Sequence, residues 1–186
     1  MRLFVAGCHG GETLRHKTSA FVLDGTLAID AGALTSGLEL RAQAKLKAVL
    51  VSHAHLDHIR DLATIADNRT QMGAPPLVVA GTAFTLGALR KHFFNDVLWP
   101  DFTKIPSADA PAIRYLTLGL EVPTDVFGYT VRAVKVTHTI DTCAFVVERG
   151  RRAIVYSGDT GPTDRLWQVA SELPTLSALL MEVSFP

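Results

Sequence analysis

The chain has 186 residues, of which 48% are apolar and 19% charged, and its 18 basic residues balance its 18 acidic ones. A chain of this length and apolar content can bury a core of its own, which excludes intrinsic disorder. Proteins that bind nucleic-acid polymers usually carry an excess of basic residues, so the balanced charge argues against such a polymer as the partner.

Cysteine usage and hydropathy narrow the class of protein further. Cys8 and Cys143 are too few for a disulfide framework and lack the spacing of a zinc knuckle or redox pair. No apolar run reaches the roughly 18 to 20 residues that span a bilayer, and the apolar N-terminus is too short for a signal peptide. We therefore expect a cytoplasmic protein with no membrane partner.

The first half of the chain predicts alternating strands and helices. Short apolar runs bounded by turn residues indicate strands at 3–6, 19–23, 27–29, 48–51 and 77–80. Apolar residues at every fourth position predict one helix over 36–47, and further helices are expected at 61–67 and from an N-cap at Thr82 to about His92. The composition becomes irregular over 93–111. We expect that 81–111, which includes this stretch, is an insertion or a lid.

The second half has mainly strand composition. Strands are predicted at 115–118, 129–137, 142–148 and 153–157, with a helix at 164–172. Nearly every residue of 176–183 is apolar, which predicts a strand that is buried on both faces. The whole chain, 1–186, is expected to form a single α/β domain.

Four metal-capable side chains follow the strand at 48–51 within six positions: His53, His55, Asp57 and His58. Titratable groups so close together compete for protons unless a cation binds them, and a divalent metal ion fits these ligand types. Residues two apart in an extended segment share a face, so the two leading histidines point to one metal position. The aspartate and the last histidine can turn toward a second position.

Two further candidate ligands stand at the ends of later predicted strands. His138 follows the strand at 129–137, and Asp159 follows the strand at 153–157. An isolated histidine at a strand end is ordinarily a hydrogen-bonded core residue. Beside a loop of metal-binding type, a ligand role is the better interpretation.

These motifs together resemble the metallo-β-lactamase fold. The resemblance rests on the H-x-H-x-D-H loop, on His138 and on the Ser-Gly-Asp-Thr sequence around Asp159. It implies a four-layer αβ/βα sandwich with a metal site at the mouth between its two sheets. It also implies that Asp30, in the sequence Ile-Asp-Ala-Gly, orients a residue of the metal loop through hydrogen bonds.

Within that superfamily the sequence is similar to class II 3′,5′-cyclic-nucleotide phosphodiesterases. The likeness lies in H-x-H-L-D-H-I at 53–59, F-N-x-x-x-W-P-D-F at 94–102 and E-x-S-F-P at 182–186. It implies hydrolysis of a small-molecule cyclic nucleotide, cAMP or cGMP, to the nucleoside 5′-monophosphate. A hydroxide that bridges two divalent metal ions would be the nucleophile.

The resemblance also implies roles for individual residues. One metal ion would be held by His53, His55 and His138 and the second by Asp57 and His58, with Asp159 bridging both; Asp57 and Asp159 would serve catalysis. Zn²⁺ is the expected metal, with Mn²⁺ or Fe²⁺ as alternatives. Residues expected to contact the substrate are His92, Phe94 and Trp99.

The sequence departs from the family pattern in two places. Asp61 stands where the family has a small residue, and no histidine follows His138, although the family supplies one more ligand there. We therefore expect that the sandwich lacks its C-terminal part and that the chain continues beyond Pro186 or is completed by a separate piece.

Other functions remain open at this point. They are another hydrolase on this fold (a nuclease, thioesterase or lactonase) and a non-catalytic metal-binding module. The sequence is compatible with cAMP or cGMP as the substrate and with more than one metal. It is also compatible with a monomer or a homodimer.

Overall fold

The computed structural model describes residues 1–183, which form two sheets and six α-helices. The strands are β1 (Leu3–Gly7), β2 (Ala20–Leu23), β3 (Leu27–Ile29), β4 (Ala48–Leu50), β5 (Leu77–Gly81), β6 (Ile113–Thr117), β7 (Thr124–Val126), β8 (Tyr129–Val136), β9 (Thr142–Arg149), β10 (Arg152–Tyr156) and β11 (Leu176–Leu180). The helices are α1 (Leu34–Gly37), α2 (Leu40–Lys45), α3 (Leu56–Ile59), α4 (Asp61–Gln71), α5 (Ala83–Ala88) and α6 (Asp164–Ser171). Within this part of the chain, no helix is long and apolar enough to cross a bilayer.

The first sheet has six strands in the order β1-β2-β3-β4-β5-β6. Its first three strands are antiparallel neighbours, whereas β3 to β6 run parallel to one another. The second sheet has the order β11-β10-β9-β8-β7, antiparallel except for the β10–β11 pair. Because β3 and β4 are parallel, their carboxyl ends open at the same edge of the first sheet.

Three apolar clusters separate four layers. Alternate residues of the first sheet, such as Val49 and Val79, face the helices of the first half of the chain. The other face packs on the second sheet, where Leu50 lies in one cluster with Phe145. The outer face of the second sheet packs against α6 through Leu166. This arrangement confirms the predicted αβ/βα sandwich.

The single helix predicted over 36–47 is wrong: the segment forms two short helices, α1 and α2. The backbone of Leu38 between them is extended, with φ −126° and ψ 132°. Gly37 ends α1 where the chain passes close to β1, and a Cβ there would lie 2.5 Å from that of Ala6. This close approach interrupts the helix although the apolar spacing continues.

The prediction that 176–183 is buried on both faces is also wrong. In the described part of the chain β11 is an edge strand that pairs with β10 alone. Leu176 and Leu179 are about two-fifths exposed, and Val183 beyond the strand is 77% exposed. An apolar strand predicts burial only where another layer covers it, and α6 packs instead on the strands further into the sheet.

The segment after β5 begins as predicted. The Thr82 side chain accepts a hydrogen bond from the Thr85 amide at the start of α5, which continues into a π-helical turn at 89–93. The following residues are mostly irregular, and they bury Phe94 and Phe102 in the core between the first sheet and its helices. The aromatic segment 93–102 therefore packs into the domain.

Candidate metal centre

The candidate ligands meet at one edge of the sandwich, where several strands of both sheets end. His53 and His55 follow β4, whereas Asp57 and His58 lie on α3. From the second sheet, His138 follows β8 and Asp159 follows β10. The fold thus brings together all six side chains that the sequence singled out as ligands.

The first cluster contains three imidazoles and one carboxylate. His55 Nδ1 lies 3.0 Å from His53 Nε2 and 3.1 Å from His138 Nε2. Asp159 Oδ2 lies 3.9 Å from His53 Nε2 and 4.0 Å from His138 Nε2. Ligand atoms about 2.1 Å from a tetrahedral zinc ion are about 3.4 Å apart, so this spacing fits one cation.

The second cluster contains one imidazole and two carboxylates. His58 Nε2 lies 3.2 Å from Asp159 Oδ1 and 3.5 Å from Asp57 Oδ2. Asp159 therefore presents one oxygen to each cluster, which is the arrangement of a bridging ligand. Within each cluster the ligand atoms all lie within 4.8 Å of one another, so both clusters can hold a metal ion.

The buried histidines of the two clusters have opposite electrostatic environments. Burial, together with the charge of His58, lowers the pKa of His53 to about 4, which favours the neutral imidazole that binds metals. Burial opposes charge on His58 as well, but Asp30, Asp159 and Asp57 raise the pKa of His58 to about 12. The carboxylates around the second cluster thus stabilise a positive charge. A divalent cation bound there could supply this charge in place of the proton on His58.

Asp30 underlies both clusters from the end of β3. It is fully buried, and its φ of +55° is in the left-handed region. Its Oδ1 accepts the Ser52 amide at 2.8 Å, and its Oδ2 accepts hydroxyls from Ser52 at 2.8 Å and Tyr156 at 2.7 Å. His58 Nδ1 lies 2.7 Å from the same Oδ2. Asp30 therefore fixes the His58 ring and leaves Nε2 facing the second cluster.

Ser52 does the same for His53. Its hydroxyl lies 3.0 Å from His53 Nδ1, so this ring too presents Nε2 to the cluster. Sequence reasoning missed Ser52 and Tyr156. Their positions in the chain could have indicated this role, because Ser52 directly precedes the metal loop and Tyr156 is the last residue of a buried strand.

Small and polar residues hold the metal loop against its neighbours. A Cβ on Gly32 would lie 2.0 Å from the Asp57 carbonyl oxygen, so only glycine permits this approach. Asp61, the departure from the family pattern, accepts hydrogen bonds from the amide and hydroxyl of Thr35, both at 2.7 Å. It thereby joins the start of α4 to α1.

A cavity of about 670 Å³ opens beside the second cluster. Its described lining comes from the N-terminal loop, β2, the metal site and β11 with the residues after it: Cys8, His9, Gly10, Ser19, Phe21, His58, Tyr156, Gly158, Asp159, Leu179, Leu180, Met181, Glu182 and Val183. His92, Phe94 and Trp99 are absent from that lining. Phe94 is 2% exposed and packs in the core, which does not support its expected contact with substrate.

Glu182 is a further cavity residue for which the sequence suggested no role. Its Oε2 accepts the Thr160 amide at 2.7 Å, beside Asp159, and its own amide donates to the Ser157 hydroxyl at 3.0 Å. The rest of the E-x-S-F-P motif, residues 184–186, lies outside the described residues.

Comparison with known proteins decides the family. The family model described as "Beta-lactamase superfamily domain" matches residues 25–185. The chain belongs to this superfamily. The matched range contains every candidate ligand and also Asp30. The fold implies divalent metal ions, and the two clusters are where this chain could hold them.

The chain is also similar to two curated relatives and one solved structure. A probable 3′,5′-cyclic-nucleotide phosphodiesterase of Yersinia pestis is 24% identical over 76% of this chain and 44% of its own. Ribonuclease Z of Mycobacterium sp. (strain KMS) is 32% identical over 73% of this chain and 52% of its own. The chain thus spans about half the length of these relatives. Unliganded yeast PDE1 shares the fold at a TM-score of 0.79 and 19% identity, over 98% of this chain and 74% of that one.

Proposed function

We propose that the protein hydrolyses the cyclic phosphodiester of a 3′,5′-cyclic nucleotide to the nucleoside 5′-monophosphate, with two divalent metal ions, Zn²⁺ first among them. The observation that carries this proposal is the pair of clusters that share Asp159. Two cations in such a site lower the pKa of water toward neutrality and offset the charge of the phosphodiester.

The proposed ligands divide as the two clusters do. His53, His55 and His138 would hold one ion and Asp57 and His58 the other, with Asp159 common to both. In these roles the ligands need fixed ring orientations and neutral imidazoles. The hydrogen bonds of His58 to Asp30 and of His53 to Ser52 supply this orientation in the protein itself.

The substrate class is supported by size and charge. A cavity of about 670 Å³ lies within the range of roughly 300 to 1,000 Å³ typical of small-molecule sites. Among the lining residues in 1–183 there is no lysine or arginine, as expected where the metal ions alone meet a single phosphate charge. The relation to the Yersinia pestis phosphodiesterase points to the same class.

The relation to ribonuclease Z supports a second candidate, cleavage of an RNA phosphodiester. An RNA polymer is ordinarily bound by many lysine and arginine contacts to its phosphates. The net charge of +0 and the described lining of the cavity favour the smaller substrate.

Substrate profiling tests the proposal. Protein loaded with Zn²⁺ or Mn²⁺ is assayed against cAMP, cGMP, a structured RNA, a thioester and a lactone, and ³¹P NMR identifies the nucleotide product. We expect cyclic-nucleotide turnover to a 5′-monophosphate. Cleavage of RNA, thioester or lactone with no turnover of either cyclic nucleotide would contradict it.

A further inference from the structure

The cavity beside the metal centre has a floor and a rim of different chemistry. Phe21 and Tyr156 are buried, with 6% and 5% of their surface exposed, and their rings lie 5.3 Å apart. His9 and Gly10 line the same cavity from an exposed loop of the N-terminal segment. A substrate whose phosphate lies at His58 and Asp159 would extend past this rim.

The lining offers the outer part of a substrate few ionic contacts. Asp159 and Glu182 are acidic, and the described lining has no lysine or arginine. Apart from the metal-site residue His58, His9 is the lining side chain that combines an aromatic face with ring N–H chemistry. A planar uncharged ring is the ligand that such a surface fits.

The His9 ring is held in place by its own loop. It stacks on His16, with ring centroids 4.2 Å apart and an angle of 17° between the planes. The His9 amide donates to the Lys17 carbonyl at 2.9 Å, and the Thr13 hydroxyl accepts the His16 amide at 3.0 Å. The two stacked rings therefore form a small platform at the cavity rim.

The same loop is fastened to the metal loop. Arg60, directly after α3, pairs with Glu12 and donates from Nε to the Gly32 carbonyl at 2.7 Å. Glu12 also pairs with Lys17 at 2.8 Å, and these two cations lower the pKa of Glu12 to about 2. The position of the platform is thus tied to that of Asp57 and His58.

We infer that His9, backed by His16, is a substrate-binding residue that stacks on the nucleobase of the substrate. This inference rests on the proposed function. It places the base at the N-terminal loop and not at the aromatic segment 93–102, whose phenylalanines are buried in the core. Base–aromatic stacking is tolerant of sequence, so the platform should accept both adenine and guanine.

The experiment compares KM and kcat for cAMP in wild type, His9→Ala and His9→Phe. We expect His9→Ala to raise KM about tenfold with kcat nearly unchanged, because stacking contributes about 1–3 kcal/mol per base. His9→Phe keeps an aromatic face and should restore most of the affinity. Leu14→Ala, at the fully exposed tip of the same loop, is the matched control and should behave as wild type.

A base-free substrate separates this inference from the proposed function. With 1-O-methylribose 3′,5′-cyclic phosphate, wild type and His9→Ala should have the same KM. Unchanged cAMP kinetics in His9→Ala, or an equal loss on both substrates, would overturn the stacking role while leaving the hydrolysis intact. Failure of wild type to cleave either cyclic phosphate would instead refute the proposed function.

Discussion

Two aspartates at opposite ends of β3 use the same chemistry for different purposes. Asp24 precedes the strand and Asp30 follows it, and both have left-handed backbones, with φ of 49° and 55°. Each accepts a tyrosine hydroxyl from the second sheet, Tyr129 at 2.8 Å and Tyr156 at 2.7 Å. Each therefore ties the two sheets together at one end of the sandwich.

The remaining partners make the difference. Asp24 also accepts the Arg2 amide at 2.7 Å and Arg149 Nη1 at 2.8 Å, so a permanent cation offsets its charge. Asp30 is fully buried and meets the imidazole of His58, which in turn faces the ligand carboxylates. Arginine completes a structural contact at one end, whereas at the other end histidine lies among carboxylates that could hold a metal ion with it.

The largest expected effect lies at the metal end. Replacing Asp159 with alanine removes the carboxylate that both clusters share, so we expect kcat/KM to fall about a thousandfold or more and bound metal to fall well below two equivalents. Metal analysis and steady-state kinetics measure the two effects, and circular dichroism checks the fold. Exposed Asp109→Ala is the control, and full activity in Asp159→Ala would contradict the assignment of the site.

Asp57→Ala should separate the two clusters. It removes a ligand from the second cluster and leaves the three imidazoles and Asp159 of the first in place. We expect about one of two metal equivalents to remain after dialysis and kcat/KM to fall about a hundredfold. Titration with Zn²⁺ followed by calorimetry checks the stoichiometry, and two tight sites in the variant would show that Asp57 is not a ligand.

Asp30→Asn should weaken metal binding without replacing any of the proposed ligands. The amide keeps one acceptor oxygen but sets an N–H group among the hydroxyls of Ser52 and Tyr156 and the His58 ring. We expect metal affinity or turnover to fall about 10- to 100-fold, because the residue that orients the His58 ring is changed, and the free energy of unfolding to drop by about 1–3 kcal/mol.

Tyr156→Phe is the milder partner of that variant because it removes a single donor. Metal titration and urea unfolding follow both proteins. Loss of stability with unchanged metal affinity would make Asp30 a structural residue like Asp24, and the contrast between the two ends would disappear.

The candidate metal ligands could be picked out from the sequence because their positions follow from local pattern, and the structure brings them into two clusters that could each hold a metal ion. His53 to His58 are adjacent in the chain, and His138 and Asp159 stand at the ends of strands whose apolar runs are unambiguous. Asp30 was expected only from the family resemblance. Its partners Ser52 and Tyr156 were harder, since Ser52 meets it through the pairing of β3 with β4 and Tyr156 through the packing of the second sheet on the first.

The errors of prediction have one cause, which is that burial depends on neighbours remote in sequence. Phe94 looked like a substrate contact, but it packs in the core. Leu179 looked like core, but it lies on an edge strand and is 42% exposed. His9 gave no signal of its own, because its loop meets the metal site through contacts remote in sequence, such as that of Glu12 with Arg60.

The smallest expected effect lies at the Asp24 end and concerns stability alone. Although partial burial opposes ionisation, hydrogen bonds from the Arg2 amide, Tyr129 and Arg149 hold the pKa of Asp24 below its usual value of 3.8. A carboxyl group whose pKa is depressed on folding stabilises the protein above its unfolded-state pKa, and this contribution is lost as the pH falls through the folded value.

We therefore expect Asp24→Asn to lower the free energy of unfolding by about 1 kcal/mol at pH 7, because the group is partly exposed and solvent screens the ion pair. The difference from wild type should shrink as the pH is lowered from 6 toward 3, and cAMP turnover at pH 7 should not change. Urea unfolding across that range measures the first effect and steady-state kinetics the second. A pH-independent difference would mean that geometry, not charge, holds this end together, and a loss of turnover would show that the two ends of β3 are coupled.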